Sequence, residues 1–154
     1  MSFTTRRGTR GARQPKANRF FTWVNTWAMK RIRTKGGQVM GMSALVLTTI
    51  GAKTGIRRST PVAWFPGPDG SWLIVASAAG AAGNPAWYHN IAAYPDQVEI
   101  DVDGATVSVT ATQLHGPGRD TAWAQIAKAS ARFAGYQDKT DRELPIIRLT
   151  RRPA

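Results

Sequence analysis

"SALVLTTIGAKTGIRRSTPVAWFP" (residues 43–66) decides the fold of this chain. Two apolar runs, "SALVLTTI" (43–50) and "STPVAWFP" (59–66), flank a short connection. Leu, Val, Ile and Thr suit a pleated, half-buried surface. A connection this short joins antiparallel strands, because a parallel crossover needs roughly a dozen residues or more. A hairpin needs only a tight turn, yet this one carries Gly51 and Gly55, the cations Lys53, Arg57 and Arg58, and hydroxyls at Thr54, Ser59 and Thr60. Glycine permits close backbone approach and positive φ. Consecutive turn amides can form an anion-binding concavity, and arginine adds a planar fork for phosphate or carboxylate oxygens. The residues describe either an anion cradle or a solvated basic turn. The spacing of Gly51 and Gly55 is not the dinucleotide fingerprint, and no Gly-Lys-Ser/Thr follows to make a nucleotide P-loop.

Downstream, "PGPDG" (66–70) carries turn chemistry and "SWLIVASA" (71–78) is a third strand. "AAGAAGN" (78–84) is a loop of small residues. "NPAWYHNIAAYP" (84–95) reads as a helix, with Asn84 at the cap, Pro85 in the first turn and Pro95 at the end. "QVEIDV" (97–102) and "ATVSVTATQL" (105–114) alternate apolar and polar around Asp103-Gly104, which favours a type I′ hairpin. "GPGRDTAWAQIAKASARFAGY" (116–136) predicts a helix with Trp123, Ile126 and Ala127 inward, ending near Gly135. "ELPIIRLTRR" (143–152) is a last strand.

Upstream, "NRFFTWVNTWAMKRIR" (18–33) places Phe20, Trp23, Val24 and Trp27 at helical spacing, with Asn18 as N-cap. Its aromatic face can cover the core or a partner, the favoured reading, or lie in a membrane interface. "KGGQVMGM" (35–42) is a flexible entry. Residues 1–17 are basic and poor in apolar side chains, so a disordered tail is expected there. The chain thus divides into a tail (1–17), an amphipathic Trp-rich helix (18–35) and a folded body (36–152). The order is helix, three strands, helix, two strands, helix, strand. This is an α+β chain whose six antiparallel strands suggest a small barrel with flanking helices.

The 154 residues suit one domain. The absence of cysteine excludes disulfides, thiol catalysis and cysteine metal sites, and fits a reducing cytosol. His89 and His115 have no metal-ligand spacing, and His89 is either a packed histidine or a ligand contact. No run of eighteen apolar residues occurs, so no membrane-spanning helix is expected, and the basic N-terminus lacks the apolar core of a secretory signal. The net charge is +12, but residues 1–35 hold ten Lys or Arg and no acid, leaving the remainder at +2. A near-neutral body argues against nucleic acid as its partner, although the cationic head could meet nucleic acid or an anionic membrane.

A second constellation is "ASAAGAAGNPAWYHN" (76–90). Its small residues leave room for something flat against the backbone, and the following helix aims its N-terminus back along the loop. Trp87 and Tyr88 cannot point the same way, so one anchors the core while the other borders a pocket. No Ser-His-Asp set or paired carboxylates assemble, so an enzyme built here would take its chemistry from an organic cofactor.

Three blocks, "LVLTTIGAKTGIRRSTPVAW", "LIVASAAGAAGNPAWYHNIAAYPDQVEI" and "YQDKTDRELPIIRLTRR", resemble the deazaflavin-dependent nitroreductase family of mycobacteria and its relatives. The resemblance spans roughly residues 36–152. It implies a split β-barrel, similar to flavin-mononucleotide-binding reductases, and the deazaflavin coenzyme F-420. In that family the reduced coenzyme passes a hydride from C5 to quinones, nitro compounds or activated alkenes. The family's phosphate-binding segment matches Gly51 to Pro61, so Lys53, Thr54, Gly55, Arg58, Ser59 and Pro61 are implied as coenzyme contacts, with Arg57 as a neighbour. Ala52 stands where the family usually has Arg, and Ala78 where a Lys is frequent. The stretch along the deazaflavin ring matches Ala76, Ser77, Ala78, Ala79 and Gly80, and the closing helix matches Pro85, Trp87, Tyr88 and Asn90. Phe133 and Tyr136 fall where the family places aromatics over the substrate, and Trp27 is a further substrate candidate. Tyr136 and Ser77 are the implied proton-handling groups. The other readings are an FMN reductase of the same fold, or a basic nucleic-acid or membrane module. The expected setting is cytoplasmic, with contact to the inner membrane face through the basic aromatic head, a small-molecule electron acceptor as partner, and an oligomeric state left open.

Overall fold

A computed structural model describes residues 3–12, 19–35, 38–39 and 42–153. Within them lie helices α1 (Arg19–Lys35), α2 (Ala86–Ala93), α3 (Gly116–Ala129) and α4 (Ala131–Asp138). The strands are β1 (Gln38–Val39), β2 (Met42–Ile50), β3 (Arg57–Ala63), β4 (Phe65–Pro66), β5 (Trp72–Val75), β6 (Val98–Val102), β7 (Ala105–Gln113) and β8 (Ile146–Arg151). The expected capping role of Asn18 and most of the flexible entry around residues 36–41 lie outside the described residues.

All strand pairs are antiparallel, and the sheet runs β1-β2-β6-β7-β8-β5-β4 with β3 also on β2. The six longer strands are those expected from the sequence, and the two-residue β1 and β4 are additions at its edges. The sheet curls into a barrel in which β3 approaches β5 without a ladder between them, so it is split there. The β6–β7 turn has Asp103 at φ 49° and Gly104 at φ 79°, the paired positive values of the type I′ hairpin.

β2 reads as a nearly continuous apolar run because both its faces are covered. Leu45 and Leu47 enter the barrel interior with Ile74, Ile100, Val109 and Leu149, while Ala44 and Val46 face Ile32 of α1, with Met29 packed alongside. β6 alternates, with Val98, Ile100 and Val102 buried, as a one-sided strand should. Full burial of each Leu or Ile stabilises by roughly 1.5–3 kcal/mol. A second cluster lies outside the barrel, where Ala122 and Ile126 of α3 and Phe133 of α4 cover Phe65, Leu73, Val75 and Ile146.

Three expectations change. The helix over 116–136 breaks at Ser130, which is extended (φ −144°, ψ 105°), and resumes through Gly135 to Asp138. The break re-aims the chain so that Phe133 enters the second cluster. On α1 Trp23 and Trp27, expected to cover the core, are 64% and 54% exposed, while Ala28 and Ile32 are buried. The outer face of β2 offers the small pair Ala44 and Val46 there, which suits Ile32 with Met29 beside it. Third, residues 3–12 fall in the segment expected to be a disordered tail, yet they run along the body as a hydrogen-bonded strap. Phe3 packs edge-on against Tyr88 (5.8 Å, 75°), Gly8 donates its amide to Ala82 O (2.7 Å) and Ala12 to Gly80 O (2.9 Å). The charge content of the tail hid this, because the strap is held by its backbone, one ring and the polar side chains of Thr5, Thr9 and Arg10, all meeting residues far along the chain.

Candidate functional site

Two cavities meet at Ala86, the first residue of α2. The first, of about 640 Å³, lies between the β2–β3 connection and α2, and is lined by Thr49, Lys53, Thr54, Arg58, Trp87 and His89 among others. The second, of about 720 Å³, lies between the strap and the small-residue loop, with Arg7, Ala12, Ala78, Ala82 and Pro85 on its walls.

The floor of the first cavity is a closed turn. Gly51 donates to Ile56 O (2.8 Å) and Gly55 donates back to Gly51 O (2.8 Å). At Gly51 a Cβ would sit 2.5 Å from the Thr54 hydroxyl oxygen, so a larger residue there would displace that hydroxyl. That oxygen accepts the Ile56 amide (3.2 Å), leaving its own proton to donate. Asn90 ties α2 to the turn: its Oδ1 accepts the Ala52 amide (2.9 Å) and its Nδ2 donates to Thr49 Oγ1 (3.2 Å). The resemblance marked Asn90 by position alone; its role as the brace between helix and turn is a tertiary finding. His89 also borders the cavity.

Strand geometry divides the two arginines. Arg58 pairs in register with Thr49 and lines the first cavity. Arg57 points to the other face and donates to Glu99 Oε2 (2.9 Å). Ser59 borders the cavity, but its hydroxyl meets Thr48 Oγ1 (2.9 Å) and Arg33 (3.4 Å). Gly55 and Pro61 shape the turn and strand without lining either cavity. The cations Lys53 and Arg58 and the Thr54 hydroxyl, with no acid on the wall, form a donor set suited to a phosphate, while the amides of Gly51, Ala52, Gly55 and Ile56 are spent on holding the turn. They fit the phosphate of a coenzyme such as F-420.

Trp87 and Tyr88 do divide as expected. Trp87 borders the first cavity, whereas Tyr88 is buried and donates to Gln113 Oε1 (2.6 Å) while accepting the Thr5 amide (3.0 Å). Tyr88 therefore anchors the strap and lines neither cavity.

The loop after β5 is strained. Ala78 (φ 47°), Ala79 (φ 54°) and Gly80 (φ 83°) are all left-handed. A non-glycine residue costs about 1–3 kcal/mol in such a conformation. Gly80 also packs against α4, where a Cβ would lie 2.7 Å from Tyr136 O. Behind the loop sits Arg142, 2% exposed. Its guanidinium donates to Ala76 O (2.8 Å), Ser77 O (2.9 Å), Ala81 O (3.0 Å) and Asn84 Oδ1 (2.7 Å). Burial pulls its pKa below the usual arginine value. The neighbouring Asp141 accepts from Thr9 and Arg10 of the strap, and those bonds hold its carboxyl below the ordinary carboxylate range.

Of the remaining sequence candidates, Ser77 and Tyr136 flank the loop but line neither cavity. Tyr136 packs edge-on against Phe133 (5.5 Å), which is buried in the second cluster. Trp27 stands on the exposed face of α1 with Arg31 stacked over it (5.7 Å).

Comparison with known proteins gives a consistent answer. A family model described as F420H(2)-dependent quinone reductase matches residues 22–151. An F420H(2)-dependent quinone reductase of Mycobacterium tuberculosis (strain H37Rv) is 41% identical over 112 residues, covering 71% of this chain and 74% of that protein. A putative one of Mycobacterium bovis matches to the same extent. The solved structure of an F420-H2 dependent reductase superposes with TM-score 0.61 at 33% identity, over 69% of this chain and 92% of that one. Another solved chain, described as a domain-swapped dimer, gives 0.63 at 30% identity over 83% and 97%. The haem storage protein of Vibrio cholerae shares the fold at 17% identity, with TM-score 0.51 over 82% of this chain and 89% of that one. With its split barrel, its phosphate-suited turn and these relatives, the chain belongs to the F420H(2)-dependent quinone reductase family and is an oxidoreductase.

Proposed function

We propose that this protein binds reduced coenzyme F-420 across the two cavities and reduces a quinone. The carrying observation is the acid-free donor set of Lys53, Thr54 and Arg58, held on the closed Gly51–Gly55 turn, in a cavity that meets the small-residue loop through Ala86. When bound, the coenzyme supplies a hydride donor. Lys53 and Arg58 hold its phosphate. Ala52 and Ala78 offer the acidic tail no charge, so that tail rests on Lys53 and solvent. Ala78, Ala81 and Ala82 leave a low wall for the ring, with Ala76, Ala79 and Gly80 behind it, Trp87 at the rim and the strap as the opposite wall. Proximity and alignment then carry the rate more than acid–base chemistry. The proton comes from the hydroxyl of Tyr136 or Ser77, or from water. Nitroaromatics and activated alkenes are further acceptors consistent with so open a wall.

The test mixes the protein with reduced F-420 and menadione and follows the coenzyme absorbance, then repeats this with a nitroaromatic. Oxidation with menadione is expected, and none with either acceptor refutes the reading. Parallel fluorescence titrations with F-420 and FMN are expected to show the tighter binding for F-420.

We propose in addition that α1 rests on an anionic membrane surface, where a lipid-soluble quinone resides. Exposed Trp23, Val24 and Trp27 lie on the same helix as Lys30 and Arg31, a pairing that complements such a surface, whereas Arg33 turns to Asp101 of β6 (3.0 Å). No helix among the described residues is long and apolar enough to cross a membrane. Cosedimentation with anionic vesicles, lost in a Trp23→Ala/Trp27→Ala variant, supports this contact; equal sedimentation of both proteins removes it.

A further inference from the structure

We propose that Arg142 is a positioning residue for the site: its buried guanidinium sets the direction of the peptides in the loop 76–82 and so builds the edge that a flat, acceptor-rimmed ring meets. This rests on the coenzyme reading above, and on four observations about this chain. The first is burial: Arg142 is 2% exposed, and none of its four acceptors is a carboxylate. A buried cation without a counterion is costly, and is kept only where its hydrogen bonds are well made. The second is direction. The carbonyls of Ala76, Ser77 and Ala81 point at Arg142. A trans peptide is planar, so the carbonyls of Ser77 and Ala81 turn the amides of Ala78 and Ala82, two residues that wall the second cavity, away from the guanidinium.

The third observation is strain. Ala78, Ala79 and Gly80 are successively left-handed, which persists only where the surroundings over-determine it. The Gly80 amide bond to Ser77 O (2.9 Å) and the Ala81 amide bond to Ala78 O (3.0 Å) close the turn from within. Arg142 holds it from behind, and Gln137 fixes Arg142 in turn by donating to its carbonyl (2.7 Å). The fourth is reach: Asn84 bonds both Arg142 (2.7 Å) and Thr5 O of the strap (2.9 Å), so one network sets the loop and the wall facing it. Lysine cannot substitute. Its compact ammonium lacks the planar fork that spans three carbonyls in different directions.

The experiment compares the full chain with Arg142→Lys, Asn84→Ala and Lys53→Ala by thermal unfolding, F-420 titration and amide hydrogen exchange. In the wild type, saturating F-420 is expected to slow exchange in residues 77–82. Arg142→Lys, held at a temperature where it is folded, is expected to exchange faster in 77–82 than elsewhere. It is also expected to bind F-420 at least tenfold more weakly and to lose that protection even at saturation. Lys53→Ala is expected to bind more weakly yet keep the protection once saturated, which separates phosphate holding from loop positioning. A folded Arg142→Lys with wild-type affinity and protection overturns the proposal, as does acceleration spread evenly over the barrel. Should Arg142→Lys not fold, Asn84→Ala decides: unchanged exchange in 77–82 overturns it. If the wild type binds no F-420, the coenzyme reading fails separately, and selective acceleration in ligand-free Arg142→Lys still tests the role in shaping the loop.

Discussion

Replacing Arg58 or Arg57 by alanine, one at a time, separates two adjacent cations that the strand sends to opposite faces. Arg58 lines the first cavity opposite Thr49, whereas Arg57 reaches Glu99 on the far side. A hydrogen bond to a charged group contributes about 1.5–3 kcal/mol, and about 1.4 kcal/mol is tenfold in affinity. Arg58 is exposed in the ligand-free chain, so screening places its loss near the lower end. Arg58→Ala is therefore expected to weaken F-420 binding by about tenfold, and to leave stability within about 0.5 kcal/mol, as for a surface substitution. The Arg57–Glu99 pair is 63% and 36% exposed, a surface pair of about 0.2–1 kcal/mol at most. Arg57→Ala should change the coenzyme affinity less than about threefold by that measure. The assay is fluorescence titration of F-420 at fixed ionic strength, with thermal unfolding of each variant alongside. An affinity loss for Arg57→Ala that equals or exceeds that for Arg58→Ala refutes the placement of the cradle.

Other outcomes follow from the same structure. Ile32→Ala removes the buried anchor of α1 and is expected to cost about 2–5 kcal/mol in denaturant unfolding, whereas Trp23→Ala should stay within about 0.5 kcal/mol. Tyr88→Phe takes the donor from Gln113 and the acceptor from Thr5, costing about 1–3 kcal/mol, while F-420 affinity in the folded variant stays unchanged because Tyr88 lines neither cavity. Asp141 has a folded pKa below its unfolded one, so its bonds to Thr9 and Arg10 are fully present above the ordinary carboxylate value and are lost as pH falls through the lowered one. Exchange protection of the strap amides at residues 9 and 10 should follow that acid transition, and Asp141→Ala, which removes the shared acceptor oxygen, should abolish most of it at neutral pH.

Much of the barrel could be read along the chain. The β2–β3 hairpin, the Asp103-Gly104 turn and the Pro85 to Pro95 limits of α2 are local: period-two burial, paired positive φ and proline stops are properties of adjacent residues. The cradle was legible for the same reason, since glycines, cations and hydroxyls crowd into one connection. That Arg57 and Arg58 separate also follows from strand alternation.

What the sequence by itself determined, then, was the set of elements and the chemistry of the turn at 51–58, because both are encoded by neighbours in the chain. What only the tertiary structure decided was everything that joins distant segments. Asn90 bracing Ala52, Tyr88 holding Thr5, and Arg142 gathering Ala76, Ser77, Ala81 and Asn84 link residues far apart in the chain. The facing of α1 was decided in the same way. Its aromatic stripe has the larger apolar surface, but the outer face of β2 presents Ala44 and Val46, and Ile32, with Met29 beside it, fits against them. Packing depends on the shape of the surface met as well as on hydrophobicity, and that surface does not exist until the sheet has formed.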